Sequence, residues 1–406
     1  MSNSLVSFRA PQAKQFLGLS PFLRMSLLQQ DLSRVAEEIF LLMASDPENP
    51  ELLMNAAIVM QIFGREDLGI EAQNSALAQQ SIYFIPAVRQ PAKIKLLVLE
   101  TPGNISENTP IECLLEGWDI DLIFYFVEDK AIDWQALPHF DAVYIGICDS
   151  VENQRVLQQL SKQLKSCPKP VFNWPQSIHN TERVRASQLL QNIPGLYMPL
   201  TREINRATLE QIAAKQKTLN EVFDWATYPV ILRPIDSHGG KQLERCEDVC
   251  AVADYLRRVE GEQFYLSNFI DYADSSGLYT KIRIVLIQGE PYVCHLAITT
   301  DWKIHYLNAE MEGSEEKRGM ELDFMQNFDR FVEKHRMAFN GIAQKIGLDY
   351  IGIDCAELPS GELLVFEVDH AMIVHGMDNE AIFGYKPPFI QKIPAAFRQM
   401  LLQRIG

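Results

Sequence analysis

Three acidic side chains near the C-terminal end of the chain are spaced so that they can share a cation. The apolar runs Tyr350-Ile351-Gly352-Ile353-Asp354-Cys355 and Leu363-Leu364-Val365-Phe366-Glu367-Val368-Asp369 flank Pro359-Ser360-Gly361, the pattern of a β-hairpin. With Ser360 and Gly361 as a two-residue loop, Pro359 stands opposite Glu362, and counting back sets Asp354 opposite Glu367. Asp369 shares that face because side chains repeat every two residues along a strand. Like charges so close repel unless a cation compensates them. Mg²⁺ suits, since it prefers a few carboxylates plus phosphate oxygens, with Mn²⁺ as the alternative ion. Asp354, Glu367 and Asp369 are therefore read as a metal site serving a phosphate-bearing ligand. The competing reading is a solvated acidic face, against which the apolar remainder of both strands weighs.

A phosphate ligand needs donors and positive charge, and Arg233-Pro234-Ile235-Asp236-Ser237-His238-Gly239-Gly240-Lys241 offers both. Arg233 ends an apolar strand, and glycine lacks the Cβ that would keep backbone N–H groups from phosphate oxygens. No GK[ST] tripeptide follows, so this is not a P-loop. Phe264-Tyr265-Leu266-Ser267-Asn268-Phe269-Ile270-Asp271 is an apolar strand with a polar end that could cover a base. In Tyr279-Thr280-Lys281-Ile282-Arg283-Ile284-Val285 the alternation puts Lys281 and Arg283 side by side, a second place for phosphate or carboxylate. An ordinary exposed strand face is the plainer reading of that pair. His295 to Tyr306 could line a pocket, with Lys303 on a carboxylate and His305 taking a proton from an amine; His375 and Asp378 are further candidates. A pair of packed strands explains the same segment equally well.

These residues must be held by elements that the rest of the chain predicts. Residues 31–80 have helical periodicity, broken by Asp46-Pro47-Glu48-Asn49-Pro50, where proline ends one helix and Asn-Pro opens the next. After Pro86 and Pro91, apolar strands at Lys95 to Leu99, Leu122 to Phe126, Ala142 to Ile147 and Lys169 to Asn173 alternate with helix-like stretches, as in a parallel α/β domain. Helices follow at Thr181 to Gln191 and Leu209 to Phe223, then a strand from Tyr228 to Arg233.

The composition narrows the class. A chain of 406 residues is long enough for two or three cores, and 47% apolar with 22% charged residues is ordinary globular usage. A net charge of −16 with no basic cluster speaks against nucleic acid and anionic lipid as partners. Seven scattered cysteines suit a reducing cytoplasm better than a disulfide framework. The apolar stretch near Leu52 to Phe63 is too short to span a bilayer, and the N-terminus lacks a leader pattern, so a cytoplasmic protein is expected.

The order of these segments, over about residues 94–400, resembles the ATP-grasp superfamily, especially its RimK-type and glutathione-synthetase-like ligases. The helical stretch before it resembles one tetratricopeptide repeat, with Ala72, Ala76 and Ala78 as small contact residues. The resemblance implies an α/β (α+β) chain in three parts: helical residues 1–90, a Rossmann-like domain at 91–175, and the ATP-grasp domain at 176–406 with subdomains near 190–265 and 266–406. It implies ATP and Mg²⁺ as cofactors, Asp354 and Glu367-Val368-Asp369 as metal ligands, and Asp369 standing where the family has Asn. By the same likeness Arg233 contacts the α- and β-phosphates, Ser237, His238, Gly239 and Gly240 close over the γ-phosphate, and Asn268, Phe269 and Ile270 hold adenine. Asp271 or Asp274 is matched to the ribose, Arg283 to the transferring phosphoryl group, and Asn173-Trp174-Pro175 with Arg185 to a second basic approach to the phosphates.

The activity so implied is carboxylate–amine ligation through an acyl phosphate, releasing ADP and phosphate, with small-molecule or peptide carboxylates and amines as substrates. Two alternatives stay open: a small-molecule kinase on the same fold, and a nucleotide-sensing interaction protein whose N-terminal helices bind a partner or a second copy.

Overall fold

The computed structural model describes residues 14–128, 130–235, 237, 239–304 and 308–406. The chain divides into two compact units: one takes residues up to Ile178 with Leu348–Ile351 and His370–Gly406, the other His179–Gly347 with Gly352–Asp369.

The first unit opens with helices α1 (Ser20–Leu27), α2 (Leu32–Ser45), α3 (Pro50–Ile62) and α4 (Glu66–Leu77). The Asn-Pro signal works as expected: Asn49 Oδ1 accepts from Leu52 N at 3.1 Å, and Pro50 starts α3. The α/β sheet of this unit has strands β1 (Ile82–Ile85), β2 (Ile94–Glu100), β3 (Ile120–Phe126), β4 (Ala142–Ile145) and β5 (Val171–Phe172), in the order β1-β3-β2-β4-β5. β2 lies between β3 and β4 and is parallel to both, which explains its nearly continuous apolar run.

Residue 90 is not a boundary in this structure. β1 lies on the helical side of it yet pairs antiparallel with β3, from Ile82 opposite Tyr125 to Ile85 opposite Leu122. Gln61 of α3 and Gln73 of α4 accept from Ile105 N at 2.8 Å and Gly103 N at 2.7 Å, so the helices cap the loop after β2. The C-terminal helix Lys392–Ile405 also belongs to this unit rather than to the second: Phe397 packs edge-on to Tyr144 and Tyr350, and Arg398 grips Asp119 through two contacts of 2.7 Å. These contacts join residues from 30 to 279 positions apart and carry no local pattern.

The second unit holds two sheets. Its strands are β6 (Leu196–Tyr197), β7 (Thr201–Asn205), β8 (Val230–Pro234), β9 (Glu244–Cys246), β10 (Gln263–Asn268), β11 (Tyr279–Ile287), β12 (Glu290–Thr299), β13 (Tyr350–Glu357, counted here from Gly352 on) and β14 (Leu363–Asp369). One sheet runs β7-β10-β8-β9, over a core that includes Leu209, Leu232, Tyr255 and Phe264; the other runs β12-β11-β13-β14-β6. Gln288 and Gly289, with φ of 52° and 84°, make the β11–β12 turn, the left-handed pair that a two-residue hairpin requires.

The β13–β14 hairpin reaches the expected register by a different route. Gly361 N donates to Leu358 O at 2.8 Å and Gly361 has φ 88°, so Pro359-Ser360-Gly361 is a three-residue loop, not a two-residue one. Glu357 then faces Leu363 and Cys355 faces Val365, one residue out of the expected frame. A bulge at Phe366 restores it, and Asp354 stands opposite Glu367.

Candidate functional site

β11 carries Lys281 and Arg283 on one face, and both reach Asp354 of β13. Arg283 Nε meets Asp354 Oδ1 at 2.8 Å and Arg283 Nη2 meets Oδ2 at 3.0 Å, while Lys281 Nζ lies 2.6 Å from Oδ2. A second bulge, between Arg283 and Ile284, breaks the β11–β12 ladder at this point, so both members of the pair sit beside a register shift. Such shifts re-aim a side chain out of the ladder. The Asp354 side chain is only 2% exposed. Burial pushes its carboxyl up, but the charges of Arg283 and Lys281 outweigh burial and hold it far below the usual carboxylate range.

Across the hairpin, Glu367 pairs with Arg183, which starts the helix Arg183–Leu189. Burial works to raise the Glu367 carboxyl, and Arg183 and Arg233 bring it net below its ordinary value. Arg233, at the end of β8 and 8% exposed, is pushed down to about 10 by burial and then by the like charge of Arg183, with Glu367 opposing. Arg183, Arg233, Lys281 and Arg283 thus gather around two carboxylates where the two sheets of the second unit approach. Four cations against two acids suit an anion.

Arg233 also holds its own loop. Its Nε donates to Ser237 Oγ at 3.0 Å, its Nη2 donates to Ser237 O, and Ser237 Oγ donates to Pro234 O at 2.7 Å. Gly239 and Gly240 follow with φ of 60° and 71°, a conformation that suits glycine. Lys303 comes to this loop: its Nζ donates to Leu243 O at 3.0 Å, and its Cε lies 3.5 Å from where a Cβ on Gly240 would be. Ile304 O in turn lies 3.5 Å from Lys281 Nζ, so residues 303 and 304 run from the glycine loop to the Asp354 cluster. His238 and His305 lie outside the described residues.

The expected base-binding segment is placed beside aromatic groups. Phe269 has Arg245 over its ring at 4.0 Å and Trp302 edge-on at 5.5 Å, and its N–H donates to Pro229 O at 2.9 Å. Asn268 instead fastens the preceding turn, accepting from Thr227 N at 3.0 Å and donating to Trp225 O at 3.2 Å. Ile270 is half-buried after β10. Asp271 accepts from Tyr279 Oη at 3.0 Å, whereas Asp274 accepts from Ser276 N and Leu278 N and so shapes its own turn.

Four expected roles change. Arg185 is exposed, with Nε on Asn180 Oδ1 at 2.7 Å; Arg183 is the basic residue that reaches the acids. The two are neighbours on a short helix, and the sequence offers no signal for which one turns inward. Asn173 is fully buried and bonds both Tyr350 N and Tyr350 O, at 3.0 and 2.9 Å, so it clamps a strand rather than approaching a phosphate. His375 and Asp378 belong to the first unit, where His375 Nδ1 accepts from Met377 N at 3.2 Å and Asp378 meets Lys386 at 3.4 Å.

The fourth change concerns the metal. Among the described residues no group of three His, Cys, Asp or Glu side chains is placed to hold an ion. Asp369 stands opposite Gly352, and Asp354 and Glu367 each already have a protein cation. The three-carboxylate site expected for Mg²⁺ or Mn²⁺ at Asp354, Glu367 and Asp369 does not fit this donor set. For Asp354 and Glu367 the charge compensation comes from Lys281, Arg283 and Arg183.

No family model matches the chain, and no curated protein matches it. Among solved structures it is similar to a RimK domain ATP-grasp protein from Sphaerobacter thermophilus, at 15% identity over 76% of this chain and 99% of that one, with a TM-score of 0.44. It is also similar to the VanG D-Ala:D-Ser ligase from Enterococcus faecalis, at 14% identity over 77% and 98%, with a TM-score of 0.43. A D-alanine–D-alanine ligase from Bacillus anthracis, complexed with ATP, gives 11% identity over 77% and 96%, with a TM-score of 0.44. Among the described residues no helix is long and apolar enough to cross a membrane.

Proposed function

We propose that the chain is an ATP-dependent ligase that activates a carboxylate as an acyl phosphate and couples it to an amine. One observation carries this reading: Arg183, Arg233, Lys281 and Arg283 converge on Asp354 and Glu367 between two sheets, beside a glycine loop that Arg233 and Lys303 both touch. Excess positive charge next to backbone donors suits a polyphosphate, and Phe269 with Trp302 offers an apolar surface for a base.

In the proposed reaction a substrate carboxylate oxygen attacks the γ-phosphorus and the bond to the β-phosphate oxygen breaks, giving an acyl phosphate and ADP. The amine then attacks the acyl carbon, phosphate leaves with the C–O bond electrons, and the amine proton passes to solvent or a nearby base. Arg283 stabilises charge on the transferring group, held in position by Asp354. Arg233 and the backbone of Ser237, Gly239 and Gly240 bind the remaining phosphates, and Lys303 is assigned to the carboxylate. No step needs a covalent enzyme nucleophile.

ADP release measured with pools of amino acids and short peptides, followed by mass spectrometry of products, tests the reading. A condensed amide with one ADP per bond is expected. A phosphorylated product without condensation would establish the kinase, and nucleotide binding without turnover the sensor.

A further inference from the structure

The nucleotide reading above leaves one mismatch, and this inference rests on that reading. We propose that the Lys281 ammonium stands beside Asp354 in the place of a divalent cation, so that this site binds nucleotide phosphates without requiring Mg²⁺.

The argument begins with the two oxygens of Asp354. Oδ1 has Arg283 Nε at 2.8 Å; Oδ2 has Arg283 Nη2 at 3.0 Å and Lys281 Nζ at 2.6 Å. An ion bound at Oδ2 would have to displace Lys281 or Arg283 Nη2, and one bound at Oδ1 would sit beside Arg283 Nε. It would then face Arg283, whose guanidinium cannot lose its proton. Asp354 is 2% exposed and the Lys281 and Arg283 side chains are 20% and 21% exposed, so water screens that repulsion poorly. Mg²⁺ also prefers near-octahedral oxygen ligands and gives up water reluctantly. Glu367, the opposite acid, is engaged by Arg183, and Asp369 is one step further along β14 opposite Gly352.

The usual service of a divalent ion is to cancel phosphate charge and tie it to protein carboxylates. Here the protein supplies that charge itself. Lys281 and Arg283 are two residues apart on β11 and project to the same face. Against Asp354 they leave one positive charge, and Arg183 with Arg233 leave a second against Glu367. A lysine on a flexible stem can also swing from Asp354 to a phosphate oxygen, while Arg283 keeps the buried carboxylate paired.

Calorimetric titration of ADP into the full chain, in Mg²⁺ and in EDTA, tests the proposal. The expected affinity in EDTA is within threefold of that in Mg²⁺. Lys281→Gln removes the internal cation and leaves Arg283 Nη2 as the charged contact of Oδ2; its ADP affinity should fall at least tenfold in EDTA and recover when Mg²⁺ is restored. Electron paramagnetic resonance with Mn²⁺ and ADP gives a second readout, with nucleotide-dependent Mn²⁺ binding in Lys281→Gln and none in the unaltered chain. If the unaltered chain binds ADP in Mg²⁺ but at least tenfold more weakly in EDTA, the proposal falls and the nucleotide reading stands. If ADP binds under neither condition, both fall.

Discussion

Arg283 and Asp354 stand on different strands of one sheet and meet through paired contacts, Nε to Oδ1 at 2.8 Å and Nη2 to Oδ2 at 3.0 Å. Each lies beside a register shift toward its outer neighbour, and β11 and β13 are adjacent in the sheet, so strand pairing brings the two residues together. This geometry makes Arg283 both a support for the buried acid and the group presented to a phosphoryl oxygen.

Arg283→Ala should therefore show two effects. Removing one partner of a buried ion pair costs about 3–5 kcal/mol, and the lower end applies because Lys281 remains 2.6 Å from Asp354. Urea unfolding should show a loss of about 3 kcal/mol. Turnover should fall well beyond any loss of ATP affinity, since charge on the transferring group is greatest in the transition state. Arg283→Lys keeps charge but not the two-pronged contact, and should recover stability only in part. A stability loss below about 1 kcal/mol in Arg283→Ala would mean the pair is as weak as a solvent-screened one.

Arg183 and Arg185 provide a comparison within one helix. Arg183→Ala takes a charge from the Glu367 side of the site and should weaken ADP binding at least tenfold, or about 1.4 kcal/mol. Arg185→Ala removes an exposed contact to Asn180 and should change affinity less than twofold. Equal effects from the two variants, measured by calorimetry, would remove Arg183 from the site.

Glu100 and Glu112 of the first unit are buried, each 8% exposed, and burial raises the pKa of both, with Glu112 adding to the effect on Glu100. A raised folded-state pKa means that the folded chain holds these protons more tightly than the unfolded one. The resulting stabilisation is complete below the unfolded value near 4.5 and fades as pH rises through the raised folded values. Glu100→Gln should thus melt higher than the unaltered chain at pH 8 and close to it at pH 4.5. An equal shift at both pH values would show that the charge is not responsible.

Gly341, in the helix Arg336–Ile346, tests packing against propensity. Alanine is the better helix former by about 1 kcal/mol. Its Cβ, however, would come within 2.5 Å of Ile193 Cγ2, and Ile193 is buried. Overpacking of that kind costs about 1–3 kcal/mol, so Gly341→Ala should be net destabilising in urea unfolding. Adding Ile193→Val removes one methyl group at the contact and should restore part of the loss. A stabilised Gly341→Ala would mean that the loop carrying Ile193 gives way freely.

The features legible in the sequence are those with a local period. Alternation in β11 puts Lys281 and Arg283 on one face, and the apolar runs around Pro359-Ser360-Gly361 make a hairpin in which Asp354 opposes Glu367. Even there two local errors cancelled, since the loop is one residue longer than read and the Phe366 bulge takes up the difference. Asn49 at the start of α3 and the buried run of β2 were equally readable, because capping and burial act within a few residues.

The partners of the charges were decided only by the tertiary structure. Sequence placed three acids on a face and inferred an external cation; packing brought β11 against β13 and set Lys281 and Arg283 on Asp354. Arg183 and Arg185 differ by two positions, about 200° around a helix, so choosing between them requires knowing which side of the helix faces Glu367. Likewise β1 falls within the part expected to be helical until β3 offers it an edge, and Asn173 reads as a site residue until Tyr350 is brought to it. An ion pair or a sheet edge joins groups far apart in the chain. Local periodicity specifies which way each side chain points, while long-range packing specifies what it meets.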